Sequence, residues 1–409
     1  MTTTVDWPSV FEAGLPSIDY GHAQHPDEAH AIIAAARAQS PIAIGPYGPE
    51  LLTYDLVHTA LRDPRFRVPQ GIFLAAQGIT SGPLWDRLVA NIMSLDGDAH
   101  RRLRRLVSKA FTPKGAARLR TTIVDVITGL VDAVSPDGHC DVVTDIARQF
   151  PIPVICALLG APAEDWQLFS DWTEQILEAF GWNAAAQTPG ILAAWADLDA
   201  YLDDMIACRR DALTDDLISE LIRAEDDGDR LSADELRMLV AALLMAGTDT
   251  TRVQLGAAAH VLCDHPDQWA LLGRRPELAA QAVHELIRHS PITFITLRVA
   301  LEDVELAGVT IPAGTIVVVN TGAANRDPAV YADPSRLDIT RVGCPPIQTF
   351  GGGMHYCLGA NLARLELAEA LTVMTQRMPN ARRTGPAPWR PVNALGGPVT
   401  VPVRFEPPR

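Results

Sequence analysis

Ten residues near the C-terminus, FGGGMHYCLG from Phe350 to Gly359, constrain the fold more than any other part of the sequence. The stretch that follows, ANLARLELAEAL, repeats leucine at helical spacing and predicts an amphipathic helix that begins just after Cys357. A helix N-terminus carries partial positive charge and free amide groups, and both stabilise a thiolate over a thiol. The chain must therefore fold so that a glycine-rich loop presents Cys357 at the start of a helix.

Cys357 suits several chemical roles in this setting. A stabilised thiolate is a nucleophile, a zinc ligand or an axial ligand to haem iron. A buried cysteine that acts only as a small hydrophobic residue is the remaining interpretation, and this segment alone does not choose among the four. The six cysteines include no CxxC pair, which argues against disulfide scaffolds, zinc ribbons and iron–sulfur clusters and is typical of a reducing compartment.

Length and composition favour one acidic, compact unit. The 409 residues are 48% hydrophobic, enough for a sizeable core, and contain no internal repeat or linker-like tract, so we expect a single domain over residues 1–409. The net charge of −15 argues against binding to nucleic acid or anionic lipid, because both present negative surfaces. The N-terminus lacks the pattern of a signal peptide, and the most apolar run, Leu239–Gly247, is about half a bilayer span. A cytoplasmic protein without a membrane span is the expectation.

Helical patterns dominate the sequence, and strands are few. Three regions predict short paired strands separated by glycine and proline turns, namely PIAIG with ELLTYD, VELAGVTIPAGTIVVVN, and PVTVPVRF. The predicted fold class is therefore mainly α with a small β region.

The longest helical pattern runs from residue 232 to about residue 265. Ser232 and Glu235 give it a capping-box start. The stretch AGTDTT, residues 246–251, then places small, β-branched and polar residues inside an otherwise strong helix former. Such a local conflict indicates either a functional site or a tight helix crossing, in which the small residues allow close approach and Thr250 bonds back to the preceding turn.

A third motif, ELIR, places Glu285 and Arg288 three residues apart on a predicted helix that ends before Pro291. Such a pair is usually an exposed ion pair that stabilises the helix by only about 0.5 kcal/mol or less. By itself, ELIR indicates no function.

In this order, the three motifs resemble the cytochrome P450 family, of the soluble bacterial type, over nearly the whole chain. AGTDTT is similar to the oxygen-activating helix of the family and ELIR to its Glu-x-x-Arg pair, while HRRLRR and NRDPAVYADPSRLD are similar to two further segments. The cysteine segment matches the family's spacing at Phe350, Gly351, Gly353, His355, Cys357 and Gly359. The resemblance implies the P450 fold, with haem b (iron protoporphyrin IX) between the long helix and the cysteine loop.

The resemblance assigns roles to residues on the cysteine side of the haem. Cys357 is implied to be the thiolate ligand of the iron, with Phe350 beside it, and backbone N–H groups of the glycine-containing loop, which ends at Gly359, are implied to approach the sulfur. The haem propionates are implied to be held by four basic residues, His100, Arg104, Arg298 and His355. Taken alone, HRRLRR predicts a solvated basic face.

On the opposite side of the haem, Ala246 and Gly247 are implied to make room for O2. Asp249 and Thr250 are similar to the acid–alcohol pair that delivers protons in the family.

Glu285 and Arg288 are implied to be structural, together with an arginine of the RDPAVYADPSRLD segment, for which we predict Arg336. The family often has an aromatic residue directly after that arginine, where this chain has Leu337.

The implied substrate pocket is apolar. Its walls would come from the long helix, a variable loop, the stretch after ELIR and a C-terminal turn, with the residues Ile72, Phe73, Ile79, Leu243, Gly247, Ile292, Ile295 and Leu395. Residues 166–195 would form a mobile lid. Because no carboxylate or amide anchor is evident among these residues, a lipophilic substrate is favoured.

The predicted function is a haem-thiolate monooxygenase that hydroxylates or epoxidises a lipophilic small molecule with O2. No flavin- or nicotinamide-binding segment is evident, so the resemblance implies a ferredoxin and its reductase as electron donors, with Arg101, Arg102 and Arg105 as a basic docking patch. Two alternatives remain. One is a thiolate-haem binding or sensor protein without turnover, and the other is a cysteine-nucleophile hydrolase, which would need His and Asp or Asn near Cys357.

Overall fold

The computed structural model describes residues 7–71, 73–226, 231–392 and 395–407. In these residues the chain is mainly helical with a small β region, so the predicted fold class is confirmed. The helices are α1 Pro26–Arg37, α2 Tyr54–Ala60, α3 Phe73–Ala76, α4 Pro83–Val89, α5 Gly97–Ser108, α6 Pro113–Ala117, α7 Arg120–Val134, α8 Pro151–Leu159, α9 Trp166–Leu177, α10 Ala184–Asp211, α11 Leu217–Asp226, α12 Ala233–Cys263, α13 Pro266–Arg274, α14 Ala279–His289, α15 Thr321–Asn325 and α16 Ala360–Arg377. The strands are β1 Ile42–Gly45, β2 Gly48–Leu51, β3 Phe66–Arg67, β4 His139–Asp141, β5 Ile295–Ala300, β6 Val304–Leu306, β7 Val309–Ile311, β8 Ile316–Asn320, β9 Arg382–Arg383 and β10 Pro402–Arg404.

The long helix α12 is the centre of the fold. Its capping box is formed as predicted, since the Glu235 amide donates to Ser232 Oγ at 3.1 Å and the Ser232 amide donates to Glu235 Oε2 at 3.0 Å. The helix continues without a break through AGTDTT. It contacts α8, α9, α10 and α16, and this surrounding burial outweighs the weak helix propensity of residues 246–251.

Within the described residues, the β region comprises three sheets. The largest has the strand order β1-β2-β8-β5-β3, and its first two strands are the predicted hairpin, with Ile42 opposite Leu51. β6 and β7 form a second predicted hairpin, whereas β10 pairs with β4 and β9. Sequence analysis missed β5, which lies antiparallel to β8 with Arg298 opposite Val317.

One apolar segment meets the length and composition of a membrane helix. Within the described part of the chain, Val142–Leu159 has a mean hydropathy of 1.5 over 18 residues, and 56% of the segment is buried. It comprises a short π-helical stretch and α8, both of which pack against α12 and α7. The contacts are those of a core helix.

The site predicted from sequence lies where α12 meets α16. The largest hydrophobic cluster gathers around α12, α14 and α16, and a second one surrounds the five-stranded sheet. The first turn of α16 follows the Cys357 loop directly, so the contact between α12 and α16 fixes the loop relative to the AGTDTT segment.

Candidate functional site

The Cys357 loop is held by tight backbone geometry. The Cys357 amide donates to the Phe350 carbonyl at 2.8 Å, and Gly351 and Gly353 have φ angles of 71° and 63°. A Cβ atom at Gly353 would lie 2.7 Å from the carbonyl oxygen of Leu61, so both its dihedral angle and its surroundings require glycine. The Phe350 side chain lies beside the loop, with the Arg364 guanidinium 4.4 Å from its ring centroid.

Several donors converge on the Cys357 sulfur. The N–H groups of Gly359 and Ala360, at the start of α16, hydrogen-bond the side chain, and Arg104 and Arg364 are nearby. Desolvation nevertheless raises the pKa of the Cys357 thiol, and these donors and charges only oppose that effect. The thiolate therefore needs a further positive partner, as a bound metal ion supplies. The side chain is accessible although protein surrounds it, as expected of a group that faces a cleft.

The four predicted propionate-binding residues come together beside this loop. The ring centroids of His100 and His355 are 4.4 Å apart, and the charges of Arg298 and Arg104 act on His355. Desolvation, with these positive neighbours, lowers the pKa of His355 to about 4, and desolvation lowers the pKa of Arg298 to about 10.

The Asp96 carboxylate acts against this positive charge on His100, Arg298 and His355, and its Oδ1 lies 3.9 Å from His355 Nε2. Two buried nitrogens, His100 Nδ1 and His355 Nε2, have no hydrogen-bond partner within the described residues. A largely buried basic cluster, in which Arg104 and His355 keep partial access, fits an anionic ligand, and carboxylates such as those of haem match its chemistry.

The middle of α12 presents a small, accessible face within an otherwise buried helix. Ala246 and Thr250, one helical turn apart, are exposed, whereas Thr248, Asp249 and Thr251 are buried. The Thr250 hydroxyl donates to the Ala246 carbonyl at 3.0 Å. This accessible face consists of small residues, as the resemblance implied for the side that receives O2.

Gly247 lies on the side of α12 that packs against α8. A Cβ atom there would lie 2.9 Å from Cδ1 of Ile155 on α8. Gly247 therefore serves the crossing of α12 and α8, the alternative that the sequence left open for AGTDTT.

Asp249 is buried in an ion pair. Arg252, one turn further along α12, contacts Asp249 Oδ1 through Nη2. Its Nη1 donates to Glu174 Oε1 on α9 at 2.9 Å and to Ser170 Oγ at 3.2 Å. Sequence analysis missed Arg252, which pairs with Asp249, and Glu174, which pairs with Arg252. Arg252 follows AGTDTT directly and was a findable signal, but nothing in the sequence indicates Glu174.

The ELIR motif forms a buried structural cluster. Arg288 donates bidentately to Glu285 at 2.6 and 2.8 Å and also donates to the carbonyls of residues 325, 334 and 336. The second guanidinium on Glu285 belongs to Arg341, at 3.2 Å from Oε1.

The prediction of Arg336 for this role is wrong. Its side chain is 68% exposed and lies 3.5 Å from Asp338, and only its carbonyl reaches the cluster. The sequence does not distinguish the two arginines, because Arg341 lies only five residues beyond Arg336.

The predicted pocket residues lie in several places. Ile292 and Leu395 are in neighbouring segments, since Thr293 bridges to Leu395 and the Gly396 amide donates to the Ile292 carbonyl at 2.8 Å. Leu243 and Ile295 are buried, and Ile79 packs against the largest core cluster. Phe73 lies edge-on to Trp182 at 5.3 Å between centroids, and Ile72 lies outside the described residues.

The other roles open to Cys357 find little support. Among the described residues, no group of three or more His, Cys, Asp or Glu side chains is arranged to hold a metal ion, so a zinc site lacks its other ligands. The charged side chains that act on the sulfur are Arg104 and Arg364, neither of which is a general base.

Comparison with known proteins decides the family. The model of the family described as "Cytochrome P450" matches residues 84–272 and 268–379. The chain belongs to the cytochrome P450 family. It is 37% identical over 377 residues to luteothin monooxygenase of Streptomyces thioluteus, covering 91% of this chain and 92% of the relative.

Other relatives and structures agree with this P450 assignment. Mycinamicin IV hydroxylase/epoxidase of Micromonospora griseorubida is 40% identical over 367 residues, covering 88% of this chain and 90% of the relative. The crystal structure of CalO2 superposes with a TM-score of 0.89 at 30% identity, covering 96% of this chain and 99% of that one. The chain is thus a P450 monooxygenase with haem iron, and the P450 fold predicted from sequence is confirmed.

Proposed function

We propose that this P450 hydroxylates or epoxidises a lipophilic small molecule, with haem b as its cofactor and a ferredoxin and ferredoxin reductase as its electron donors. It acts in the cytoplasm as one domain over residues 1–409. The observation that carries the assignment of the site is the basic cluster beside the Cys357 loop, in which His100 and Arg298 are buried and Arg104 and His355 are half-buried. These residues would hold the propionates, and the Cys357 sulfur would ligate the iron.

When bound, the haem supplies the binding and reductive activation of O2. The chain supplies the protons. Thr250 lies on the accessible face of α12; its hydroxyl donates to the Ala246 carbonyl at 3.0 Å, and its oxygen lone pairs would accept a hydrogen bond from a group at that face. Asp249 is adjacent in sequence but buried, so it would exchange protons through water after its contact with Arg252 loosens.

The substrate class follows from the pocket residues. Leu243, Ile292, Ile295 and Leu395 are apolar, and burial of apolar ligand surface against such side chains gives most of the binding free energy. Three relatives are a luteothin monooxygenase, a mycinamicin IV hydroxylase/epoxidase and a vitamin D(3) 25-hydroxylase. A polyketide, terpenoid or steroid substrate agrees both with the apolar pocket residues and with the molecules named for these relatives.

The basic residues of α5 would receive the acidic ferredoxin. Arg102 pairs with Glu235, and Arg101 pairs with Asp98. Charge reversal of Arg102 and Arg105 together should slow reduction by ferredoxin and weaken its dependence on salt. Glu235→Gln is the matched control, because it removes the partner of Arg102 but keeps the positive charges. Unchanged reduction in the double variant would contradict this docking site.

The catalytic proposal is tested in two steps. A library of lipophilic compounds is first screened for a change in the spin state of the ferric haem, which identifies a binding substrate. Thr250→Ala is then expected to keep consuming O2 while forming less product per O2, because proton delivery at the accessible face is impaired. Thr248→Ala is the matched control, since Thr248 is buried and donates to the Leu244 carbonyl. Equal product per O2 in Thr250→Ala and the unmodified protein would contradict the role of Thr250.

A further inference from the structure

The guanidinium of Arg252 is divided between two carboxylates on different helices. Nη2 contacts Asp249 on α12, whereas Nη1 donates to Glu174 Oε1 on α9 at 2.9 Å. Ser170 Oγ, also on α9, accepts from Nη1 at 3.2 Å and lies 3.4 Å from the same Glu174 oxygen. Arg252 therefore joins the acid of the AGTDTT segment to the position of α9.

The charges of this network alternate from the interior to the surface. Side-chain exposure is 1% at Asp249, 8% at Arg252 and 38% at Glu174. Arg148 donates to Glu174 at 2.9 Å and to Asp171 at 3.3 Å, and Asp171 is 72% exposed. A continuous polar path thus connects bulk water to an otherwise buried acid.

Two further arginines act on the charge of Arg252. The C-terminal loop contributes Arg390 and the segment before α8 contributes Arg148, and both positive charges disfavour protonation of Arg252. On the α16 side, Glu366 Oε2 accepts from Thr251 at 3.4 Å. Desolvation lowers the pKa of Arg252 to about 10, so the guanidinium stays charged near neutral pH and does not itself relay a proton.

We propose that Arg252 is a positioning residue that sets the proton affinity of Asp249, and that Glu174 of α9 competes with Asp249 for its charge. The inference rests on the proposed function, in which Asp249 takes part in proton delivery. A carboxylate beside an arginine has a lower pKa, by about 1 to 3 units, than an unpaired buried one. When Glu174 of α9 contacts Arg252, the guanidinium therefore stabilises the Asp249 carboxylate less. When that contact is lost, the guanidinium stabilises the Asp249 carboxylate more.

Two substitutions should move the proton affinity of Asp249 in opposite directions. Glu174→Gln removes the competing charge, so the pKa of Asp249 should fall by about one unit. Arg252→Gln removes the cation, so that pKa should rise by a similar amount. Asp171→Asn, at the exposed end of the path, is the matched control and should shift nothing.

The readouts are the infrared carbonyl band of protonated Asp249, titrated with pH in the resting protein, and the acid limb of the rate of product formation. Subtraction of the Asp249→Asn spectrum assigns the band. If Arg252→Gln does not fold, Arg252→Lys is used instead. A shorter ammonium cannot span both carboxylates, so adding Glu174→Gln to that variant should then leave the titration unchanged.

The outcomes separate this inference from the proposed function. If Asp249→Asn leaves both the acid limb and the yield of product per O2 unchanged, the role of Asp249 in turnover fails. The proposed function requires that Asp249→Asn change the acid limb or the yield of product per O2. If it does so, and Glu174→Gln and Arg252→Gln shift the infrared titration in the same direction, or not at all, only the role of Arg252 is overturned. Opposite shifts, with none in Asp171→Asn, are the expected result.

Discussion

His100 on α5 and His355 on the cysteine loop face each other with ring centroids 4.4 Å apart, and each has a buried nitrogen without a hydrogen-bond partner within the described residues. Burial of two unpaired basic rings costs free energy unless an acceptor satisfies them. Arg298 adds a third buried basic group. The cluster therefore suits an anionic ligand, which we propose to be the haem carboxylates.

The first prediction concerns haem affinity. His355→Ala should weaken haem binding by about 10- to 100-fold, because a hydrogen bond to a charged group contributes about 1.5 to 3 kcal/mol. The measurement is the rate of haem transfer to apomyoglobin together with a direct haem titration. His22→Ala, at an exposed histidine, is the control. Equal affinity in the two variants would show that His355 does not bind the cofactor.

The second prediction distinguishes Arg341 from Arg336. Arg341→Ala should lower the free energy of unfolding by about 1.5 to 3 kcal/mol, because it removes one charged hydrogen-bond partner of the buried Glu285, which keeps its pair with Arg288. Arg336→Ala should change it by less than about 0.5 kcal/mol, because the Arg336 side chain is exposed. Urea unfolding of both variants gives the comparison, and a larger loss in Arg336→Ala would contradict the observed pairing.

These residues also show what the sequence predicts and what it does not. Local signals were sufficient for the capping box of α12, the helix α16 and the Cys357 loop, because each depends on neighbours within a few residues. The arginine that completes Glu285 could not be chosen, because Arg336 and Arg341 are both near in sequence and only tertiary packing separates them. For the same reason β5 was missed, since its strand conformation depends on pairing with β8.

Electrostatics of the site were predicted only in part. The amide groups that favour a Cys357 thiolate were expected from the position of the cysteine before α16, but the larger opposing effect of desolvation depends on the whole fold. Asp249 was predicted from its motif, whereas its link through Arg252 to Glu174 joins two helices that are far apart in sequence. Distant partners of this kind leave no local pattern.

The third prediction concerns pH-dependent stability. Glu50 is buried between β1 and β8 and accepts from Tyr20 Oη at 2.5 Å and from Asn320, and burial raises its pKa to about 7. Because the folded pKa lies above the unfolded value of about 4.5, the stabilising contribution of neutral Glu50 is complete below that value and is lost as pH rises through about 7.

The unmodified protein should therefore lose about 2 kcal/mol of its free energy of unfolding between about pH 5.5 and 8, since each pKa unit corresponds to about 1.4 kcal/mol. Glu50→Gln should not show this loss. As pH rises, the free energy of unfolding of the variant should increase relative to that of the unmodified protein, as measured by urea unfolding at both pH values. A constant difference between the two proteins would mean that Glu50 does not titrate in this range in the folded state.

The central claim is that the Cys357 sulfur ligates haem iron. The direct measurement is the absorption spectrum of the reduced, haem-loaded protein with carbon monoxide, recorded alongside Cys357→Ser. The unmodified protein should show the strongly red-shifted Soret band of thiolate coordination, and the variant should lose it while still binding haem. A correctly folded, haem-loaded protein without that band, or a Cys357→Ser variant that keeps it, would contradict the account.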